Sequence, residues 1–185
     1  IFMSKKLEKK GKKMESNFEK CLAKVLDHEK GYIFHKDDPG GETNLGVTRR
    51  VYDNWTAEND LVVKDMRDIT VDDVMPIYKK NYWLKAKCDQ LPIGVDYVIF
   101  DMSVNHGVSR AAKFLQGVVG AEKDGIIGSK TLAMVDDMDK SDMIEALCLE
   151  REDFYRNLNT FNTFGRGWLN RNTDVRGASL EMVGT

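Results

Sequence analysis

A chain of 185 residues with 42% apolar and 31% charged side chains can bury a core of its own and has the composition of an ordinary globular protein. No stretch approaches a membrane span, so stable membrane insertion is not expected, and a formal charge of −2 argues against nucleic acid as a main partner. His28, His35 and His106 are too scattered to suggest a metal site, and no cofactor is expected.

The first element is a charged arm. Six lysines against Glu8 give the run Lys5–Lys13 a charge of +5, leaving −7 for the rest of the chain. Residues 1–15 therefore read as a solvated tail, disordered or partly vector-derived, since Ile1 and Phe2 precede the first methionine, Met3. Such an arm also suits attraction to an anionic surface. No apolar run follows it, so no secretory signal is visible and synthesis in the cytoplasm is expected. Cys21, Cys88 and Cys148 cannot all pair with one another, and Cys21 and Cys148 fall on apolar helical stripes as small core residues.

Ser16 with Glu19 predicts a capping box for a first helix, with Gly31 near its end. Phe18, Cys21, Leu22, Val25 and Leu26 form its apolar stripe, and Glu29 is the next member of that series in the last turn. An acid on a buried face is costly unless paired or protonated, and withdrawal from water suits a carboxyl to general-acid work. The competing reading is a helix-end glutamate fanned out to solvent. Asp38-Pro39-Gly40-Gly41 predicts a turn, and Thr43–Thr48 the close of a short hairpin.

Thr48 is expected to cap a helix to about Asn59 with Val51 and Trp55 on one face, and Thr70 with Asp73 another, in which Pro76 predicts a kink or a late start. Pro92 opens a nearly all-apolar buried helix ending at Gly107. Ser109 is read as the cap of Ala111–Val119, Ser129 of a short helix to about Met138, and Ser141 as the start of the last long helix. A loop holding Phe161, Phe164 and Gly165 then leads to Trp168. The fold class is mainly α with a small β-hairpin after the first helix.

A helix that delivers one glutamate, followed by a hairpin that supplies a second carboxylate, is the lysozyme arrangement, and glycoside hydrolysis needs that pair of functions. Asp38 is the second candidate, fixed by the Pro-Gly turn, with Asp37 the weaker choice; a plain turn aspartate is the alternative. Thr43, Asn44 and Thr48 are placed to position a water or to hold the hairpin. Tyr32, Tyr82 and Trp83 are candidates to stack on sugar faces, with core packing as the other role for each. Asp101 and Asn105 share one side of the apolar helix, where Asp101 either locks backbone or an arginine, Arg151 being the named partner, or lines a cleft.

Glu29-Lys30-Gly31-Tyr32 and Asp38-Pro39-Gly40-Gly41-Glu42-Thr43-Asn44-Leu45-Gly46-Val47-Thr48 closely resemble the signature of glycoside hydrolase family 108, phage endolysins and bacterial muramidases. That signature reads EGGY then DPGGxTNxGIT, and the chain departs from it at Lys30 and Val47. The resemblance continues through Tyr78, Tyr82-Trp83, Phe100–Gly107 and Gly165–Arg171. From Leu115-Gln116 through Gly120 and Asp124–Gly128 to Thr131 it follows a peptidoglycan-binding pattern, in which Asp124, Gly125 and Gly128 make a tight turn.

The resemblance implies a lysozyme-like fold that cuts the β-1,4 bond between N-acetylmuramic acid and N-acetylglucosamine, with Glu29 as the family's catalytic glutamate. It implies a catalytic part over 16–92 and a peptidoglycan-binding part over 93–185, packed on it as one unit. The expected protein is a monomer that acts on bacterial peptidoglycan in the periplasm or at the wall after release. Two rivals stay open: a lytic transglycosylase that uses Glu29 alone, separated by anhydro products, and a non-catalytic wall-binding or secretion-accessory module, separated by binding without product.

Overall fold

The computed structural model describes residues 17–29, 31–34 and 41–184. The Ser16 cap, the Asp37-Asp38-Pro39-Gly40 stretch and the lysine arm lie outside the described residues. Two compact units are distinguished, one of Glu19–Asn81 and one formed from Tyr82 onward together with Asn17 and Phe18.

In the first unit, helix α1 (17–27) buries Cys21, Leu22 and Val25, as its stripe predicts. Strands β1 (Ile33–Phe34), β2 (Glu42–Asn44) and β3 (Val47–Thr48) form an antiparallel sheet in the order β1-β2-β3. The expected hairpin is present, and β1 adds a third strand that periodicity could not reveal in two exposed residues. Asn44 pairs with Val47 across the two-residue loop Leu45-Gly46, where both residues have positive φ (49° and 72°), the backbone of a type I′ turn.

Helix α2 (Arg49–Glu58) starts at Thr48, whose hydroxyl accepts the Val51 N–H at 3.4 Å, and ends at Asn59, as expected. Its buried side chains are Tyr52 and Thr56, one position on from the expected Val51 and Trp55. Helix α3 (Val71–Tyr78) carries the complete Thr70/Asp73 capping box. Pro76 does not delay its start. The helix instead widens into a π turn, Lys79–Trp83, downstream of the residue that lacks an N–H.

In the second unit a 3-10 turn (Cys88–Gln90) precedes α4 (Val95–His106), in which every residue from Val95 to Ser103 is buried. Asp96 accepts the N–H groups of Gly94 and Tyr97 at 2.8 and 2.7 Å and a bond from the Asn17 amide. Burial pushes its carboxyl up to about 6 against those donors. Phe18 and Phe100 each meet the Trp83 ring edge to face, with centroids 5.3 and 5.4 Å apart, and meet each other tilted at 5.8 Å.

Helix α5 (Val108–Val119) begins directly at the Gly107 turn rather than at a Ser109 cap. Ser129 and Lys140 open α6 (Ser129–Asp136) and α7 (Lys140–Arg156), and it is Asp139, not Ser141, that caps α7. The expected loop at Phe161 is part of a 23-residue helix, α8 (Phe161–Val183), packed along α7. Cys21, Cys88 and Cys148 are buried and form no disulfide with one another.

Candidate active site

Glu29 stands two residues past the end of α1. The His28 and Glu29 amides bond back to Val25 and Leu26 at 3.1 and 3.0 Å, a 3-10 closure of the helix end. The stripe phase therefore holds, but the residue lies beyond the last α-helical turn and is half-buried.

The tightest constraint around it comes from the β2–β3 turn. A Cβ on Gly46 would overlap the Tyr78 hydroxyl and stand 3.1 Å from Glu29 Oε2 and 3.2 Å from Glu29 Cδ. Only a glycine fits both the φ of 72° and that approach. The Tyr78 hydroxyl, on a side chain 1% exposed, donates to the Leu45 carbonyl at 3.0 Å. A helix end, a hairpin turn and a buried phenol thus converge on one carboxyl. Residue-by-residue reasoning assigned no role to Gly46 or Tyr78; the demand of a two-residue turn for glycine was the available signal.

The hairpin residues divide by face. Thr43 pairs with Ile33 on one side and Thr48 on the other, so these three share a partly open face, while Asn44 and Val47 point to the buried one. Asn44 Nδ2 donates to the Met66 carbonyl at 2.7 Å and ties the sheet to the 59–70 loop. Thr48 is occupied as the α2 cap. Tyr32 is exposed, and its hydroxyl donates to Glu42 Oε1 at 2.8 Å, a bond to a carboxylate that raises the phenol's pKa. Arg49 lies 3.4 Å from Glu42 and 2.9 Å from Asp53. Asp38 lies outside the described residues.

Of the four expected ligand contacts from the later part of the chain, Trp83 and Asp101 are placed differently. Trp83 is 2% exposed within the Phe18 and Phe100 cluster, so its ring is core and offers no open face to a sugar. Tyr82 is half-buried in the π turn. Asp101 is fully buried and does not line a cleft: Arg151 Nη1 lies 2.7 Å from its Oδ2, as the helix stripe suggested, and Arg171 grips Oδ1 through Nε and Nη2 at 3.0 and 2.7 Å. Burial raises that carboxyl's pKa, but the two guanidinium charges outweigh it and hold it low. Asn105 is exposed and bonds back to the Asp101 carbonyl at 2.7 Å.

The Asp124-Gly125 turn is locked by Gln116. Its Nε2 donates to Asp124 Oδ1 at 2.7 Å and to the Ile126 carbonyl at 3.0 Å, and its Oε1 accepts the Gly125 N–H at 2.9 Å. The motif is thus a structural lock. Among the described residues no three His, Cys, Asp or Glu side chains gather as metal ligands, and no helix is long and apolar enough to cross a membrane.

Residues 22–107 match the family model of glycosyl hydrolase 108, and residues 110–173 that of a predicted peptidoglycan domain. The solved structure of Brucella abortus SagA is 39% identical, with a TM-score of 0.76, over 91% of this chain and 96% of that one. The chain belongs to glycoside hydrolase family 108. Its family-108 region contains α1 from Leu22 onward, the sheet and Glu29, and closes at Gly107; the peptidoglycan-domain region opens at Arg110, in the first turn of α5. The mainly helical fold with a small sheet after α1 is that of the family. Comparison with the curated proteins gave no match.

Proposed function

We propose that this glycoside hydrolase is a muramidase, cutting the β-1,4 bond from N-acetylmuramic acid to N-acetylglucosamine with Glu29 as general acid. The observation that carries the reading is the convergence of the Glu29 carboxyl, the Gly46 turn and the Tyr78 hydroxyl beside a partly open sheet face. A half-buried carboxyl held against rigid backbone can meet a glycosidic oxygen in a fixed orientation. Glu29 gives its proton to that oxygen as the bond to C1 breaks, and water adds to the oxocarbenium-like carbon. Asp38, or a water held near Thr43, takes the proton from that water or stabilises the positive charge. Exposed Tyr32 is suited to contact a sugar, and the peptidoglycan domain retains the chain on the wall.

The test is turbidity loss of purified wall or permeabilised cells, with the products read by mass spectrometry. Glu29→Gln should abolish lysis while leaving wall binding intact, and near-normal lysis by this variant would sink the mechanism. Reducing ends on muramic acid support hydrolysis. Anhydro ends would mean a transglycosylase, and wall binding without any product an accessory module. Full activity in Asp38→Asn would remove Asp38 from the chemistry and leave Glu29 in place.

A further inference from the structure

We propose that Tyr78 is a positioning residue for Glu29, using its hydroxyl to pin the Leu45-Gly46 turn on one side and to face the glutamate's carboxyl on the other. This rests on the reading of Glu29 as the acid. The phenol belongs to Tyr78, the last residue of α3 and the one before the π turn, and it reaches a hairpin turn 33 residues earlier in the chain. The hydroxyl and the carboxyl crowd the same point, the missing Cβ of Gly46.

Direction follows from hydrogen-bond capacity. A tyrosine hydroxyl has one proton and two acceptor lone pairs. The proton is directed to the Leu45 carbonyl at 3.0 Å. Toward Glu29 the phenol oxygen therefore acts as an acceptor, and only the protonated carboxyl can use it as one. Tyr78 thus orients the Glu29 O–H when that proton is present.

The experiment compares the full chain with Tyr78→Phe on purified wall, following kcat, KM and the pH profile of lysis. Losing the acceptor should lower kcat about tenfold, the scale of one hydrogen bond, with KM little changed. The alkaline limb of the profile, where a general acid loses its proton, should move to lower pH. An unmoved limb, or one that moves upward, would overturn the proposal, as would a change confined to KM. Fluorotyrosine placed at position 78 alone keeps the shape and weakens the acceptor; its limb should move the same way by less, and an unmoved limb counts against the proposal even where the phenylalanine variant folds poorly. Glu29→Gln separates the two claims. If it still lyses wall, the mechanism itself falls; if it is dead and Tyr78→Phe is normal, only the positioning role falls.

Discussion

Asp101 and Arg151 form an ion pair at 2.7 Å with both side chains wholly withdrawn from solvent. The pair is held by charge more than by an in-line hydrogen bond, and Arg171 completes it at the opposite oxygen. It joins α4 to α7 and α8, so it supports the fold of the second unit. Removing the acid leaves two guanidinium groups facing one another in a poorly solvated space. Asp101→Asn is expected to lower the unfolding free energy by about 3–5 kcal/mol, measured by urea denaturation, whereas a loss below about 1 kcal/mol would show that the charges are not opposed in the folded state.

His106 closes the same network, with Nε2 at 3.2 Å from Arg151 Nε and 3.1 Å from the Tyr155 hydroxyl. Burial, and then the Arg151 charge, depress its pKa from 6.5 to about 4. Between those values the unfolded chain binds a proton that the folded one refuses, so stability falls as pH drops from 6.5 toward 4. Asp96 acts in the opposite sense. Its pKa is raised from 3.8 to about 6, so the folded chain holds the extra proton and stability falls as pH rises through that window. Asp96→Asn should therefore unmask the histidine's effect, giving a steeper rise of the urea midpoint between pH 4 and 6 than in the parent chain. An unchanged slope would contradict the assignment.

Gly46→Ala combines a left-handed backbone with overlap at the Tyr78 hydroxyl and a close approach to Glu29. The strain is expected to cost about 1–3 kcal/mol, and lysis should fall further than stability does because the carboxyl is displaced. Wall turbidity assayed well below the melting temperature separates the two effects. An active, merely less stable variant would mean that the turn does not set the position of Glu29.

Gln116→Ala strands the Gly125 N–H and frees the Asp124-Gly125 turn. Because Gln116 is 1% exposed, the unfilled bonds cannot be replaced cheaply by water, and a loss of about 1–3 kcal/mol is expected. Thermal unfolding of the full chain reads it out. A neutral result would mean that the turn holds without its lock.

Much of the site's frame was legible before any coordinates. The Thr48 cap, the Thr70/Asp73 box, the buried run from Val95 and the register that sets Glu29 on the α1 stripe are all local patterns, with caps and periodicity written within a few residues of one another. The long α8 was not, because Gly165, Gly167 and Gly177 disfavour an isolated helix, and only packing along α7 repays that cost. Strand β1 escaped for a similar reason, since two exposed residues become a strand only when β2 supplies their hydrogen bonds. Trp83 shows the converse error: an aromatic looks the same in sequence whether it stacks on a sugar or on Phe18 and Phe100.

The sequence by itself determined the helical class, the sheet after the first helix and the family, and it singled out Glu29 as the candidate acid. Tertiary structure alone decided what surrounds that acid. Glu29, Gly46 and Tyr78 lie far apart along the chain, and neither propensity nor periodicity carries information about distances between separate elements. Only when α1, the β2–β3 turn and α3 have packed does a glycine's missing Cβ become the space in which a hydroxyl meets a carboxyl.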